Sequence, residues 1–225
     1  MKKVLFLSES DALKAKIIIE SSYLDLFKKY DITCLFYGSD GKAKQAAEEL
    51  GYKTCVVDKD LSEFDILEYV EQYDDFVVVL LGWPYILGAD VILALDGKII
   101  NCHGSYLPDY KGSRAYMHYW ANMEDEYGVT IHFVSEQVDE GNILSQRKLK
   151  LFKEETPEII HCRMSEVLGF LLSDAVSKCF DGDTGVKQTK GGRYFKRQNW
   201  EYFNKVRIHN ENTNGEKLTT EYIIR

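Results

Sequence analysis

Phe76-Val77-Val78-Val79-Leu80-Leu81 is an unbroken apolar run that ends at Gly82-Trp83-Pro84-Tyr85. A strand with no polar face is one covered on both sides, as in the middle of a parallel sheet. Working outward, short β-branched runs at 4–7, 32–37, 54–57 and 99–102 read as further strands. Longer segments at 11–30, 42–50 and 62–73 read as helices, with Ser10 or Asp11 available to cap the first. This β-α-β-α order predicts an α/β fold: a mostly parallel, doubly wound, Rossmann-like sheet with helices on both faces. Ligands on such sheets sit beyond the carboxyl ends of the strands. The Gly82-Trp83-Pro84-Tyr85 loop and the loop after 99–102 therefore become neighbours on one rim.

Beyond that point, 128–134 and 143–151 read as two later strands with a turn at Asp139-Glu140-Gly141-Asn142. Thr156-Pro157-Glu158 is a helix start: a cap residue, proline in the first turn, then an acid at the positive helix end. That helix runs to about 180 and stops at Asp181-Gly182-Asp183-Thr184-Gly185. The division expected is a catalytic domain over 1–185 and a short C-terminal extension over 186–225. The extension reads as a hairpin or a dimer contact, with Arg193-Tyr194-Phe195 and Val206-Arg207-Ile208 as strands of a hairpin or an edge addition. Aliphatics are then sparse until Tyr222-Ile223-Ile224.

The chain has 225 residues with 45% hydrophobic, 13% aromatic and 28% charged content, an ordinary globular profile. A formal net charge of −8 opposes non-specific binding to nucleic acid or to an anionic membrane. A locally basic pocket for a phosphorylated ligand stays compatible with that balance. The five cysteines are odd in number and contain no C-x-x-C pair, so neither a disulfide framework nor a zinc site is indicated. Three of them lie inside apolar runs and read as small core residues. The apolar run after Lys2-Lys3 stops at Ser8-Glu9-Ser10-Asp11, too soon for a signal peptide or a span. The expectation is a cytoplasmic, reduced protein.

Chemistry concentrates in Asn101-Cys102-His103-Gly104-Ser105-Tyr106-Leu107-Pro108 and in Asp139. An amide can hydrogen-bond a developing oxyanion. An imidazole can take a proton near neutral pH, and a carboxylate can orient that imidazole. Asn101 and His103 are two apart, so on a strand end both face the same side. Alone, Asn-x-His is equally a turn asparagine and a satisfied core histidine, and Asp139 equally a turn residue. Ser105-Tyr106-Leu107-Pro108 with Gly112 adds a structured loop in which backbone must approach something closely.

Four elements in order, Asn101-Cys102-His103, Ser105 to Gly112, Gly128-Val129-Thr130-Ile131-His132 and Asp139-Glu140-Gly141, make this chain resemble the formyltransferases that use 10-formyltetrahydrofolate. The spacing from His103 to Asp139 is 36 positions (139 minus 103), as in that family. The resemblance covers about 76–170 well and the N-terminal third loosely. It implies that Asn101 holds the formyl oxygen, that His103 stabilises that charge or shuttles the amine proton, and that Asp139 orients His103. It places the folate donor against Trp83, Pro84, Tyr85, Ile86 and Leu87, with Val138, Glu140 and Gly141 as the opposite wall. For Trp83 and Tyr85, plain core packing is the competing reading. It assigns the acceptor to Ser105, Tyr106, Leu107, Lys111, Gly112, Tyr116 and Trp120. No metal is required. His132 matches a family position but reads as structural or supporting, and His118, His161 and His209 have no motif.

Within that family, glycinamide ribonucleotide enzymes carry a Gly-rich phosphate loop after the first strand. Here Ser8-Glu9-Ser10-Asp11 has no glycine and two acids, which suits a phosphate poorly. The chain is acidic, and it is expected to be without the further C-terminal RNA-binding domain of the methionyl-tRNA enzymes. It is likewise expected to be without the N-terminal regulatory domain of the formyltetrahydrofolate hydrolases. The likeness that remains is to sugar N-formyltransferases acting on nucleotide-linked amino sugars, through the aromatic segment 116–120 and the short extension. Lys111, Arg114 and the 190–197 cluster then either meet a pyrophosphate or form a solvated surface. The alternatives are glycinamide ribonucleotide, another small amine such as a hydroxylated ornithine, and a folate-binding module without turnover. The partners expected are a folate donor and an amine acceptor, with no nucleic acid and no membrane, in a chain that can pair as a homodimer.

Overall fold

The computed structural model describes residues 2–95, 97–189, 191–213 and 216–220. Nine strands and seven helices follow in order: β1 (Lys3–Glu9), α1 (Leu13–Leu26), β2 (Asp31–Tyr37), α2 (Lys42–Glu49), β3 (Lys53–Val57), α3 (Glu63–Leu67), β4 (Phe76–Leu80) and α4 (Ala89–Ala94). Then come β5 (Ile99–His103), β6 (Lys111–Gly112), α5 (Ala115–Asn122), β7 (Glu126–Phe133), β8 (Ile143–Lys150), α6 (Pro157–Phe180), β9 (Tyr194–Phe195) and α7 (Trp200–Asn212). Seven strands form one sheet in the order β3-β2-β1-β4-β5-β7-β8. Its first five strands run parallel, and β7 and β8 are antiparallel.

The apolar runs split by period two, as strands covered on both faces must. Val4, Phe6, Cys34, Phe36, Val77 and Val79 pack into one core with Ile18, Ile19, Leu168 and Leu172 of α1 and α6. Leu5, Leu7, Leu35 and Val78 pack into the other with Ile66, Val91 and Leu95. Leu168→Ala would open a cavity between α6 and the sheet, where Leu168 is fully buried. The expected cost is about 2–5 kcal/mol, read as a lowered urea midpoint with an unchanged slope.

Several elements differ from the sequence reading. Neither Ser10 nor Asp11 caps α1. The Ser10 carbonyl accepts from the N–H groups of Ala43 and Lys44, and the Asp11 carboxylate accepts from Lys42 N–H at 3.3 Å. This loop thus satisfies the first donors of α2 instead. The helix expected over 62–73 is regular only to Leu67, after which Tyr69 and Val70 donate to Ile66 and Leu67 in tighter i→i+3 turns. The hairpin expected in the extension is corrected. Tyr194–Phe195 is a short strand, but it pairs parallel with Lys111–Gly112, and Val206, Arg207 and Ile208 lie inside α7. Tyr222-Ile223-Ile224 lies outside the described residues. Cys34 and Cys102 are buried in the core, and all five cysteines are free thiols. Among the described residues, no helix is long and apolar enough to cross a membrane.

Candidate active site

The chain turns outward from β1 to β2 and β3, then returns to place β4 on the other side of β1. A crevice opens at the carboxyl ends of strands where such a reversal occurs. A cleft of about 450 Å³ lies there, lined by Lys14 after β1, Leu80 and Gly82 at the end of β4, and Asn101 and His103 of β5. That volume fits a small-molecule site.

Asn101, His103 and Asp139 meet in this cleft. His103 Nδ1 lies 3.5 Å from Asp139 Oδ1, and Asn101 Nδ2 lies 3.5 Å from the same oxygen. His103 and Asp139 are 7% and 9% exposed, so bulk solvent is largely excluded. A backbone carbonyl can only accept, so His103 Nε2 donates to the Tyr110 carbonyl at 3.2 Å. Both ring nitrogens of His103 therefore face acceptors, an arrangement that satisfies the imidazolium. Burial opposes that form and outweighs the pull of Asp139, holding the imidazole below its ordinary value. His103 is thus neutral near pH 7 yet placed to take a proton.

Burial alone would raise the Asp139 carboxyl. The facing His103, the hydrogen bond and charge of His132, and the Gly112 N–H more than offset it, leaving Asp139 well below the usual carboxylate range. The Gly112 N–H donates to Asp139 Oδ2 at 2.7 Å. Asp139 itself adopts φ +56°, in the left-handed region. Gln188 holds that turn, donating its Nε2 to the carbonyls of Asp139 and Gly141, both at 2.8 Å. Two glycines are required here. A Cβ at Gly112, which has φ +101°, would lie 2.3 Å from the Phe195 carbonyl oxygen, and one at Gly141 would lie 1.8 Å from that of Phe133.

His132 has a direct supporting place. Its Nδ1 donates to the Phe133 carbonyl at 2.7 Å, and its Nε2 lies 3.3 Å from Asn101 Nδ2 and 3.5 Å from Asp139 Oδ1. The contact with Asn101 fixes the Asn101 amide plane. The longer Asn101–Asp139 contact is the one an incoming oxyanion can take over.

Trp83, Pro84, Tyr85, Ile86, Leu87 and Val138 line the cleft. Tyr37, Trp83 and Tyr85 pack edge-to-face, with centroids 5.2 to 6.4 Å apart. The buried Trp83 Nε1 has no partner among the described residues, so this apolar wall holds a free donor. A flat heterocycle carrying a carbonyl or ring nitrogen fits such a wall. Glu140 and Gly141 do not line the cleft. Glu140 accepts from Lys111 Nζ at 2.9 Å, and Gly141 packs on the Phe133 backbone.

Of the acceptor residues expected from sequence, Gly112 and Tyr116 line the cleft. The others are not among its lining residues. Ser105 is fully buried and donates to the Asp109 carbonyl, and Leu107 N–H donates to Thr130 Oγ1. Tyr106 lies under Lys148 on the outside of β7 and β8. Trp120 stacks on Trp200 with centroids 5.3 Å apart and lines a smaller pocket beside Arg207. Ser105, Tyr106 and Leu107 build the loop after β5, and Trp120 belongs to α5. Lys111 is buried, spent on Glu140 and the Gly191 carbonyl. Lys190 lies outside the described residues.

The sequence reading passed over two residues that reach the cleft. Lys14 Nζ donates to the Cys102 carbonyl at 2.8 Å. His161 stacks on Tyr116 with centroids 4.4 Å apart and planes 8° apart. Burial, with the Lys14 charge, pushes His161 down to about 4. A signal for His161 was present: His161, Met164, Ser165 and Leu168 all line the cleft, at the i, i+3, i+4, i+7 spacing of one face of α6. Among the described residues, no group of histidine, cysteine and acidic side chains has metal-holding geometry.

Residues 38–176 match the family model described as formyl transferase. The phosphoribosylglycinamide formyltransferase of Haemophilus influenzae is 35% identical over 99 residues, covering 44% of this chain and 47% of that protein. The formyltetrahydrofolate deformylase of a Corynebacterium species is 31% identical over 105 residues, covering 45% of this chain and 37% of that protein. The match thus spans less than half the length of either relative. Among solved structures, phosphoribosylglycinamide formyltransferase from Anaplasma phagocytophilum superposes with a TM-score of 0.70 at 21% identity, covering 87% of this chain and 99% of that one. The N-formyltransferase from Helicobacter canadensis in complex with folinic acid and dTDP-3-aminofucose gives a TM-score of 0.68 at 20% identity, covering 88% of this chain and 72% of that one. At those identities the likeness concerns the fold.

Proposed function

Because the chain belongs to the formyl transferase family, we propose that it transfers a formyl group from 10-formyltetrahydrofolate to the amine of a nucleotide-linked amino sugar. The observation that carries formyl transfer is the convergence of Asn101, His103 and Asp139 in a cleft that Trp83, Tyr85, Arg114 and Arg197 also line. The donor supplies an activated formyl carbon on a nitrogen leaving group. Trp83, Tyr85 and Val138 would hold its ring. Asn101 would donate to the formyl oxygen as negative charge develops there. Neutral His103 would accept the proton that the attacking amine gives up and pass it to the folate nitrogen as the bond from that nitrogen to the formyl carbon breaks, with ionised Asp139 steadying the imidazolium in between. Tyr110 keeps the other ring N–H satisfied throughout.

The acceptor reading rests on charge. Arg114 and Arg197 line the cleft, and neither forms an ion pair among the described residues. With Lys14 they favour an acceptor carrying phosphate and disfavour a cationic one such as an ornithine. The flat Tyr116–His161 stack beside them suits a sugar or base face. The loop after β1 is an unsuitable phosphate seat, because Ser10 Oγ is spent on the Asp40 carbonyl and Ser8 Oγ on that of Glu9. The Helicobacter canadensis neighbour, with its bound dTDP-3-aminofucose, supports the same choice. The phosphoribosylglycinamide formyltransferases among the relatives favour glycinamide ribonucleotide as the second reading.

The test is a formyl-transfer assay with 10-formyltetrahydrofolate and a panel of amines. Turnover with amino sugar nucleotides and none with glycinamide ribonucleotide is expected. The opposite pattern would replace the sugar reading, and folate stabilisation without turnover on any amine would leave a binding module. Arg114→Ala is expected to raise the acceptor KM about tenfold, equivalent to about 1.4 kcal/mol, with the donor KM nearly unchanged.

A further inference from the structure

Lys14 sits at the start of α1 and lines the cleft, its side chain passing beside Gly82 at the end of β4. Its ammonium donates to the carbonyl of Cys102, the residue between Asn101 and His103. An ammonium carries three donors, and no carboxylate stands within ion-pair distance of this one among the described residues. Cys102 is fully buried and its thiol is pushed up to about 12, chiefly by desolvation, so it offers no counter-charge. The contact joins two segments 88 positions apart, and it ties the strand end that presents both catalytic side chains to the first helix.

We propose that Lys14 is a positioning residue for the transfer: it clamps the Asn101–His103 strand end through the Cys102 carbonyl and presents its ammonium beside the His103–Asp139 pair. The activity consequences rest on the formyl-transfer reading, whereas the charge effect on His103 does not. The groups facing His103 are Asp139 from the turn, His132 from β7, the Tyr110 carbonyl and Lys14 from α1. Those facing Lys14 are Cys102 and Asp139, with His161 of α6 beyond it. Asp139 attracts a proton to His103, while His132 and Lys14 oppose one. Burial keeps Lys14 below the ordinary lysine range, against the raising effects of Cys102 and Asp139. The protonated ammonium therefore favours the return of His103 to its neutral form once the proton has passed on. It also turns away an acceptor with a second cation close to its amine.

The experiment follows the His103 ring by NMR against pH in the ligand-free protein, for the wild type, Lys14→Met and Lys14→Arg. Lys14→Met is expected to raise the His103 midpoint by about half a unit or more, because a nearby cation has gone. Lys14→Arg keeps the charge and is expected to hold the midpoint close to that of the wild type. In turnover, the acidic limb of kcat/KM should move upward with Lys14→Met, and kcat should fall about tenfold while the donor KM stays within about twofold. If Lys14→Met does not fold, Lys14→Gln replaces it with the same expectation. An unmoved midpoint in the neutral variant, or an equal shift in Lys14→Arg, overturns the proposal. A wild type inactive on every amine would remove the functional reading and leave the titration result standing.

Discussion

His103→Ala is expected to lower formyl transfer by about 10²–10⁴-fold, the range that a positioned acid–base group contributes. Folate affinity should stay near that of the wild type, because the folate slot is built from Trp83 to Leu87 and Val138, away from the imidazole. The fold should also tolerate the change. His103 gives one long hydrogen bond to the Tyr110 carbonyl, while the strand is held by its pairing with β7, where His103 faces Thr130. The measurement is steady-state kinetics beside folate titration. Unchanged turnover would remove His103 from the reaction, and a parallel loss of folate binding would make it part of the donor site. An intact kcat with a raised acceptor KM would instead place the ring in acceptor binding.

The sheet was legible because its strands are covered on both sides. Runs such as 4–7 and 76–81 leave no polar residue for a helix stripe to use, and the structure sends alternate residues of each into separate cores. Residues 206–208 misled for the same reason inverted. Val-Arg-Ile alternates over three residues, too short a window for period two to mean anything. The longer spacing of Phe203, Val206 and Asn210 shows the helical face that α7 buries. In the site, Asn101, His103 and Asp139 announce themselves by residue type and order. Lys14 does not, because its partner is a backbone carbonyl distant in sequence, and a carbonyl carries no residue signature. Trp120 drew a substrate role for its size and aromaticity, yet those properties serve Trp200 and Arg207 equally well.

The segment after α6 belongs to the site's construction even though the family match ends before it. Gln188 holds two carbonyls of the Asp139 turn, Phe195 of β9 crowds Gly112, and Lys111 reaches the Gly191 carbonyl. Tyr194 and Arg197 then enter the cleft wall. A boundary at 185 would divide the cleft between two units, so we propose that the catalytic unit extends at least through Arg197.

Asp139→Asn isolates the charge from the backbone. Asparagine is among the side chains that accept the left-handed φ this position demands, so the turn and its Gln188 contacts should survive. The amide keeps an oxygen for the Gly112 N–H but loses the negative charge that steadies an imidazolium on His103. The kcat is expected to fall about 10³-fold, with folate binding and the acceptor KM little changed. Stability gives an independent reading, and its sign follows from the depressed carboxyl. A group whose folded pKa lies below its unfolded value stabilises the fold above the unfolded value, near pH 4, and loses that contribution as pH falls through the folded one. The wild type should therefore be more stable than Asp139→Asn at pH 7, and the gap should narrow steadily below pH 4. Urea unfolding of both proteins at pH 7 and pH 3 measures it. A gap that stays constant across that interval would mean that Asp139 is not held ionised by His103, His132 and Gly112, and the electrostatic basis of the site would fail with it.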